Sequence, residues 1–451
     1  MVELPEVLAR LDRTINYEAF AGSGIAAGRI GGLSLDSMRE FCALLGDPQE
    51  AVPVIHITGT NGKGSVAAMV SELIAATGLN AGTYTSPHLD RINERIARNG
   101  EAIPDDELAE VLSGVLDVAE LADRSPSWFE LVTAAAFRWF SEASVDVAVI
   151  EVGLLGRYDA TNVVTADVAV ITNIGADHTD GAPGWELAVA SEKAGIITPG
   201  RDVVVGALGP ELLAVVEAEG PERVLMVDRD IDLLENQVAF GGRTISVSTP
   251  WGRHDDVYVP LHGEHQGVNA ALAIVAVEAF FDRPVTSEQL EVAFGRLNVA
   301  GRVEVVGHDP LVILDGAHNA DSATALARTL ADEFIPLGSR IAVIGMLEGR
   351  EPSEVLRPLA EFGLDLVLAT APPSPRAAAP EGIAAAAEAV GIHAEVVVDP
   401  WAAVGRALRI AGDEDMVVIA GSFYLVGPAR RVVAASKPDR PESRGEDDPF
   451  A

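Results

Sequence analysis

The chain has 451 residues, 48% apolar and 22% charged, enough for two or three domains around a large core. Its formal charge of −36 leaves no basic stripe to neutralise a phosphate backbone, which excludes nucleic acid as a partner. No apolar run reaches transmembrane length, and the N-terminal MVELPEVLARLDR lacks the basic-then-apolar layout of a signal peptide. The single Cys42 cannot form an internal disulfide, and together these features imply a cytoplasmic protein that stays off membranes.

Residues 1–50 read as a helix, an irregular turn at Gly22–Gly32 and a second helix around Leu35–Leu45. Val54–Ile57 is a short β-branched run suited to a strand buried on both faces. The turn Gly59-Thr60-Asn61-Gly62-Lys63-Gly64-Ser65 follows, and then Val66, Met69, Val70, Leu73 and Ile74 recur at helical spacing until Gly78. Strand, glycine turn and helix are the context of a phosphate-binding loop. Backbone N–H groups close on phosphate oxygens there, the helix N-terminus adds positive charge, and Lys63 and Ser65 serve phosphate and Mg²⁺. The generic G-x-x-x-x-G-K-[ST] pattern does not fit, because Gly59 lies too close to Gly62 and Gly64 separates Lys63 from Ser65.

A second strand, Ala81–Thr85, leads to Ser86-Pro87-His88-Leu89 and to Arg91–Ile96, which on charge pattern alone reads as a salt-bridged surface loop. Val145–Val152 is a continuous apolar run that closes on Glu151, and a carboxylate there is costly to bury unless a cation or metal pairs with it. Asp167–Ile174 makes the next strand, and His178 lies just beyond it, on the same edge as Glu151 and Ser65. Lys193 sits on a helix running into Pro199-Gly200, where an ion pair with Glu192 or Glu186 is the plain reading. Yet the chain has only three lysines, Lys63, Lys193 and Lys437, its other cations being arginine. Two of them fall inside motifs, positions that need a compact or deprotonatable amine.

From Asp202 to about Leu261 the pattern predicts a small, partly antiparallel subregion without visible chemistry. Gly263–Ala270 then opens an alanine-rich helix whose Gln266 and Asn269 amides either read a purine edge or cap the helix. Leu297–Val303 reads as a hinge. Beyond it strands at Leu311–Leu314, Arg340–Ile344, Leu364–Ala369, Ala394–Val398 and Met416–Ala420 alternate with helices, and the first ends in Asp315-Gly316-Ala317-His318-Asn319. The predicted fold is α/β with two doubly wound domains: residues 1–298, an ATPase-like domain with the phosphate loop, and residues 299–436, a smaller Rossmann-like domain. A disordered tail, 437–451, follows.

The sequence GTNGKGS is the loop variant typical of the Mur ligase superfamily. The ordered set GTNGKGS, SPHL with NERI, EVGLLGRYDATN, ITNIGADHT, EKAGII, HQGVNA, AGRVE, LDGAHN and GSFYLVG resembles the folylpolyglutamate synthase/dihydrofolate synthase family from about residue 30 to 430. The resemblance implies an ATP-dependent ligase that activates a folate or dihydropteroate carboxylate as an acyl phosphate and joins it to L-glutamate. It implies that Gly59, Thr60, Asn61, Gly62, Lys63, Gly64 and Ser65 hold ATP together with Asn269, Arg302 and Asp315. Ser65 and Glu151 would ligate one Mg²⁺, and Ser86, Glu151 and His178 a second. Lys193 would be carbamylated near that second metal, and His318 would assist deprotonation of the incoming amine. A monomer is expected. The alternatives are a Mur-type ligase of cell-wall precursors, disfavoured because no UDP-binding module precedes the loop, and a non-catalytic nucleotide-binding protein on the same scaffold.

Two departures from the family stand out. Leu155 takes the place of the second glycine in GLGGR, so a positive φ there would be strained. The Asp-Lys-Asp run of the second domain is replaced by Glu348-Gly349-Arg350, and arginine for lysine is not a neutral exchange.

Overall fold

The computed structural model describes residues 2–16, 34–122, 125–176, 179 and 182–436, so the turn Gly22–Gly32, His178 and the tail from Lys437 lie outside the described residues. The first half forms strands β1 (Val54–Thr58), β2 (Ala81–Tyr84), β3 (Ile96–Arg98), β4 (Glu101–Ala102), β5 (Val147–Glu151), β6 (Val168–Ile171), β7 (Asp202–Val205) and β8 (Val224–Met226). They assemble in the order β4-β3-β2-β5-β1-β6-β7-β8, parallel except for β3 and β4. Every residue of β1, β5 and β7 is buried, which is why these strands read as unbroken apolar runs rather than alternating ones.

Helix Lys63–Ala76 covers one face of this sheet, packed against helix Glu264–Phe281. The latter is apolar on nearly all sides, and its alanines let it lie inside the core rather than on the surface. The antiparallel subregion is smaller than expected: it comprises β9 (Asp232–Ala239), β10 (Gly242–Thr249) and β11 (Gly252–Val259), in the order β11-β10-β9. The stretch from Asp202 to Met226 belongs instead to the parallel sheet, with helix Pro210–Ala218 as the crossover between β7 and β8.

The second sheet contains β12 (Glu304–His308), β13 (Leu311–Leu314), β14 (Arg340–Ile344), β15 (Leu366–Ala369), β16 (His393–Val396) and β17 (Met416–Ala420), in the order β12-β13-β17-β14-β15-β16. All but β12 run parallel, with apolar clusters on both faces. The fold is therefore two doubly wound α/β units. The edge strand β12, broken by a register shift near Gly307, was not foreseen. No helix of the described residues is long and apolar enough to cross a membrane.

One buried polar chain ties β1 to the loop beyond β5. His56, fully buried, meets Thr161 Oγ1 through Nε2 at 2.9 Å, and the Thr161 hydroxyl donates to Asp159 Oδ1 at 2.6 Å. The hydroxyl's single proton is thus committed, so Nε2 carries the imidazole hydrogen and donates. Burial pushes His56 from 6.5 down to about 3, so the folded ring stays neutral. The unfolded chain gains a proton at His56 between pH 6.5 and about 3 that the folded chain refuses. Stability from this residue is full above pH 6.5 and falls on acidification through that window, by on the order of 5 kcal/mol. His56→Gln should flatten the acid side of a stability–pH curve measured by urea unfolding. An unchanged slope would contradict a buried neutral ring.

Candidate active site

The phosphate loop springs from the carboxyl end of β1, and its neighbours dictate its glycines. A Cβ on Gly59 (φ +153°) would lie 1.8 Å from Thr172 Oγ1, and one on Gly62 (φ +84°) would lie 2.7 Å from Asn269 Oδ1. The segment after β6 holds the loop in shape. Asn173 Oδ1 accepts from the N–H groups of Thr60 at 3.0 Å and Asn61 at 2.9 Å, while the Thr172 hydroxyl donates to the Asn61 carbonyl at 2.6 Å. Lys63 folds back, its Nζ donating to the carbonyls of Gly59 at 3.0 Å and Thr60 at 3.4 Å.

Ser65, buried in the first turn of the loop helix, accepts a long hydrogen bond from Gln266 Nε2 at 3.4 Å, and Gln266 Oε1 accepts from Asn269 Nδ2 at 3.0 Å. These two amides do not cap their own helix, whose N-cap is Gly263. They brace the back of the phosphate loop.

Glu151 closes β5 and is 4% exposed. Its Oε2 accepts the Ser86 N–H at 3.1 Å, and a Cβ on Gly64 would come within 3.6 Å of that same oxygen. Burial raises the Glu151 pKa, opposed in turn by Lys63, the Ser86 N–H, Arg302 and Arg95. Glu151 is thus balanced by three cations, one of which, Arg302, it shares with Asp315, in a chain of charge −36.

Arg95 corrects the surface-loop expectation. It is 1% exposed, its Nε donates to His88 Nδ1 at 2.9 Å and its guanidinium lies 4.7 Å from the Trp128 ring centre. The Glu94 carboxylate accepts the N–H groups of Leu89 at 2.7 Å, Asp90 at 3.1 Å and Arg91 at 2.9 Å, which fixes the turn and directs Arg95 inward.

The second sheet offers its own carboxyl edge to this loop. Asp315, at the end of β13, accepts the N–H groups of Val303 at 2.9 Å and Ala317 at 2.7 Å. Arg302, in the connection before β12, stacks 4.3 Å above the Phe423 ring. Burial pushes the Arg302 pKa down, and the charges of Asp315 and Glu151 push it back up, so this guanidinium is felt by a carboxylate of each sheet. His318 Nδ1 faces the Gly316 carbonyl at 3.0 Å. A carbonyl only accepts, so in the neutral ring Nε2 is the basic nitrogen. Asn319 spans the gap, its Nδ2 donating to Asn61 Oδ1 at 3.1 Å.

Ser86 reaches Glu151 through its backbone, and Lys193 is buried at the end of helix Trp185–Ala194. That helix packs against the loop beyond β5, where a Cβ on Gly156 would come 3.2 Å from Lys193 Cα. In the second unit the Glu348 N–H donates to the Arg376 carbonyl at 2.7 Å, and Arg350 lies close enough to Arg376 to push on its charge. Burial lowers the Arg376 pKa, and Tyr424 and Glu348 counter the added push from Arg350.

Among the described residues no three His, Cys, Asp or Glu side chains form a metal cage. Mg²⁺ needs no such cage, since it keeps several waters and takes one or two carboxylates plus phosphate oxygens; Glu151, 3.6 Å from a Cβ placed on Gly64, is a carboxylate of that kind beside the loop that carries the Ser65 hydroxyl. Thr172, Asn173 and Asn319, which have no role on sequence grounds, and Gln266 and Arg95, which read there as a cap or base contact and as surface charge, act through approach in space. Only the ITN of β6 and the N of LDGAHN carried a hint of them.

The family described as Mur ligase middle domain matches residues 57–277, and the Mur ligase, glutamate ligase domain matches residues 301–423. The chain is 37% identical over 440 residues to the dihydrofolate synthase/folylpolyglutamate synthase of Mycobacterium tuberculosis, covering 88% of this chain and 89% of that protein. The crystal structure of Mycobacterium tuberculosis folylpolyglutamate synthase complexed with ADP and AMPPCP superposes with a TM-score of 0.87 at 35% identity, covering 95% of this chain and 98% of that one. The bifunctional folylpolyglutamate synthase/dihydrofolate synthase of Yersinia pestis, complexed with AMPPNP and Mn ion, gives a TM-score of 0.80 at 28% identity, covering 96% and 98%.

Leu155 does adopt the strained backbone anticipated, with φ +59°, and its carbonyl accepts the Thr58 hydroxyl at 2.6 Å. A left-handed leucine costs roughly 1–2 kcal/mol, and burying its side chain returns about 2 kcal/mol, so the position is tolerated. Leu155→Gly should therefore be less destabilising than Leu155→Ala by roughly 1 kcal/mol in denaturant unfolding, inverting the usual order, because only glycine relieves the backbone. The ordinary order would show that this turn holds no strain.

Proposed function

This chain belongs to the Mur ligase family, in the branch of the folylpolyglutamate and dihydrofolate synthases, and we propose that it uses ATP to join L-glutamate to the carboxyl group of dihydropteroate or a reduced folate. The observation that carries this reading is the buried Glu151 among Lys63, Arg302 and Arg95, at the mouth of a phosphate loop that a second carboxyl edge overhangs. In this reading residues 1–298 form the ATP-binding domain and 299–436 the glutamate-ligase domain, acting as a cytoplasmic monomer.

When bound, ATP and Mg²⁺ supply the phosphoryl group that makes the acid an acyl donor and the positive charge that lets two anions meet. Lys63 exchanges its loop carbonyls for phosphate oxygens, and the N–H groups of Gly59–Ser65 line the same anion. Ser65 and Glu151 would hold one Mg²⁺, and Ser86 and Glu151, together with His178 from outside the described residues, would hold a second. Lys193, carbamylated, adds an anionic group on that side. Arg302 and Asp315 contact the nucleotide from the second unit, while Asn269 fixes the loop from behind. His318, with Nε2 basic, accepts a proton from the incoming amine. The paired Arg350 and Arg376 suit the carboxylates of an acidic amino acid.

Purified protein with ATP, Mg²⁺, L-glutamate and either dihydropteroate or tetrahydrofolate should release ADP only when both acid and amino acid are present, with the glutamylated product read by mass. Release of ADP with an unrelated acid alone would overturn the substrate assignment. Lys63→Ala should lower turnover on the order of 10²–10³-fold while the melting temperature stays near that of the unaltered chain. Retained ligation in that variant would remove Lys63 from its role.

A further inference from the structure

The antiparallel sheet β9–β11 contributes no group to the site above. Its central strand nevertheless holds Arg243, 6% exposed, which ion-pairs with Glu333, the last residue of helix Ala320–Glu333 in the second unit. The Glu333 side chain is 1% exposed and is fully engaged by the first unit. Besides Arg243, it meets His262 Nδ1 at 2.8 Å and accepts the Gly263 N–H at 2.9 Å. Arg243 is fixed in turn, donating to the Asn236 carbonyl at 2.7 Å, and Asn236 Nδ2 donates to the Glu264 carbonyl at 2.8 Å. The His262 ring packs 4.7 Å from the ring of Phe334, the residue after Glu333.

Gly263 is the N-cap of helix Glu264–Phe281 and has no side chain with which to cap it. Glu333 therefore supplies, from the other unit, both the acceptor and the negative charge that a helix start favours. That helix carries Gln266 to Ser65 and Asn269 to the back of Gly62.

Helix Ala320–Glu333 is fixed to the first unit at its other end as well. Its N-cap residue Asn319 donates to Asn61 of the phosphate loop. Fourteen residues of helix span about 21 Å, so one rigid rod joins the phosphate loop to the antiparallel sheet. Among the described residues the two attachments are unequal: a neutral amide pair over the loop, and a buried carboxylate with a guanidinium, an imidazole and a backbone N–H at the far end.

We propose that Glu333 is a positioning residue and that sheet β9–β11 is the plate on which the second unit is docked. The charged cluster holds the rod, and the rod holds Asn319 and the neighbouring His318 over the phosphate loop. This assignment rests on geometry and not on the identity of the acid substrate.

Because Cys42 is fully buried, cysteines introduced at the exposed positions Leu121 and Val398 can carry a spin-label pair that reports the distance between the two units. Glu333→Gln keeps the size and one acceptor oxygen but removes the charge and with it the ion pair. The variant should lengthen or broaden that distance distribution, and ligation turnover should fall on the order of 10–10²-fold, with the KM for ATP changing less than kcat. A merely structural role would lower the melting temperature while leaving the distance distribution and kcat at a permissive temperature unchanged, and that result would overturn the proposal. If Glu333→Gln fails to fold, Arg243→Met gives the same readouts from the opposite partner, with the same two outcomes. The distance measurement needs no catalysis, so a failed ligase assay would leave it standing and count only against the function proposed above.

Discussion

The structure depends on a carboxylate kept where carboxylates are expensive. Glu151 ends a fully buried strand, and what makes its burial tolerable is the company of Lys63, Arg302 and Arg95 and the Ser86 N–H. Each partner is delivered by a different element: the loop after β1, the connection into β12, the short 3-10 turn before β3 and the end of β2. Four parts of the chain must converge before that charge is compensated. The same convergence gathers Lys63, Arg302 and Arg95 about the end of the phosphate loop, the kind of positive charge a polyphosphate requires.

The charge of the whole chain gives no hint of this cluster. An acidic excess spread over the surface coexists with a small basic interior because arginines are drawn inward by specific partners: Arg95 by Trp128 and His88, Arg302 by Phe423 and Asp315, Arg243 by Glu333. Two of these stack on rings, which a planar guanidinium does well and an ammonium less well. Lys63 does something else. Its compact ammonium reaches its own loop carbonyls three and four residues back, which the bulkier fork of arginine would not do in so tight a turn.

Much of this arrangement was legible in the sequence. Strands β1, β5 and β13 announce themselves as apolar runs, and the glycines, Glu151 and Asp315 stand at their ends, where a parallel sheet binds ligands. The misreadings share one cause. Arg91–Ile96 looks like solvated charge until Trp128 and His88 are folded against Arg95. Asp202–Val205 looks like the start of an antiparallel region because helix Pro210–Ala218 after it is short, though its Gly209-Pro210 opening is a proper helix start. Gln266 and Asn269 read as cap or base-contact residues because an amide's role is set by what approaches it, here the phosphate loop. Glu333 reads as an ordinary acid at a helix end, and nothing local distinguishes it from its solvated neighbours.

The Glu333 socket has a bearing on how the chain is born. Helix Glu264–Phe281 borrows its first acceptor, and Arg243 its counter-ion, from a residue 70 positions beyond Gly263. A ribosome adding roughly 5–20 residues per second needs several seconds to cover that interval. During it the emerging first half holds Arg243 and the Gly263 N–H without the acceptor that the complete fold gives them.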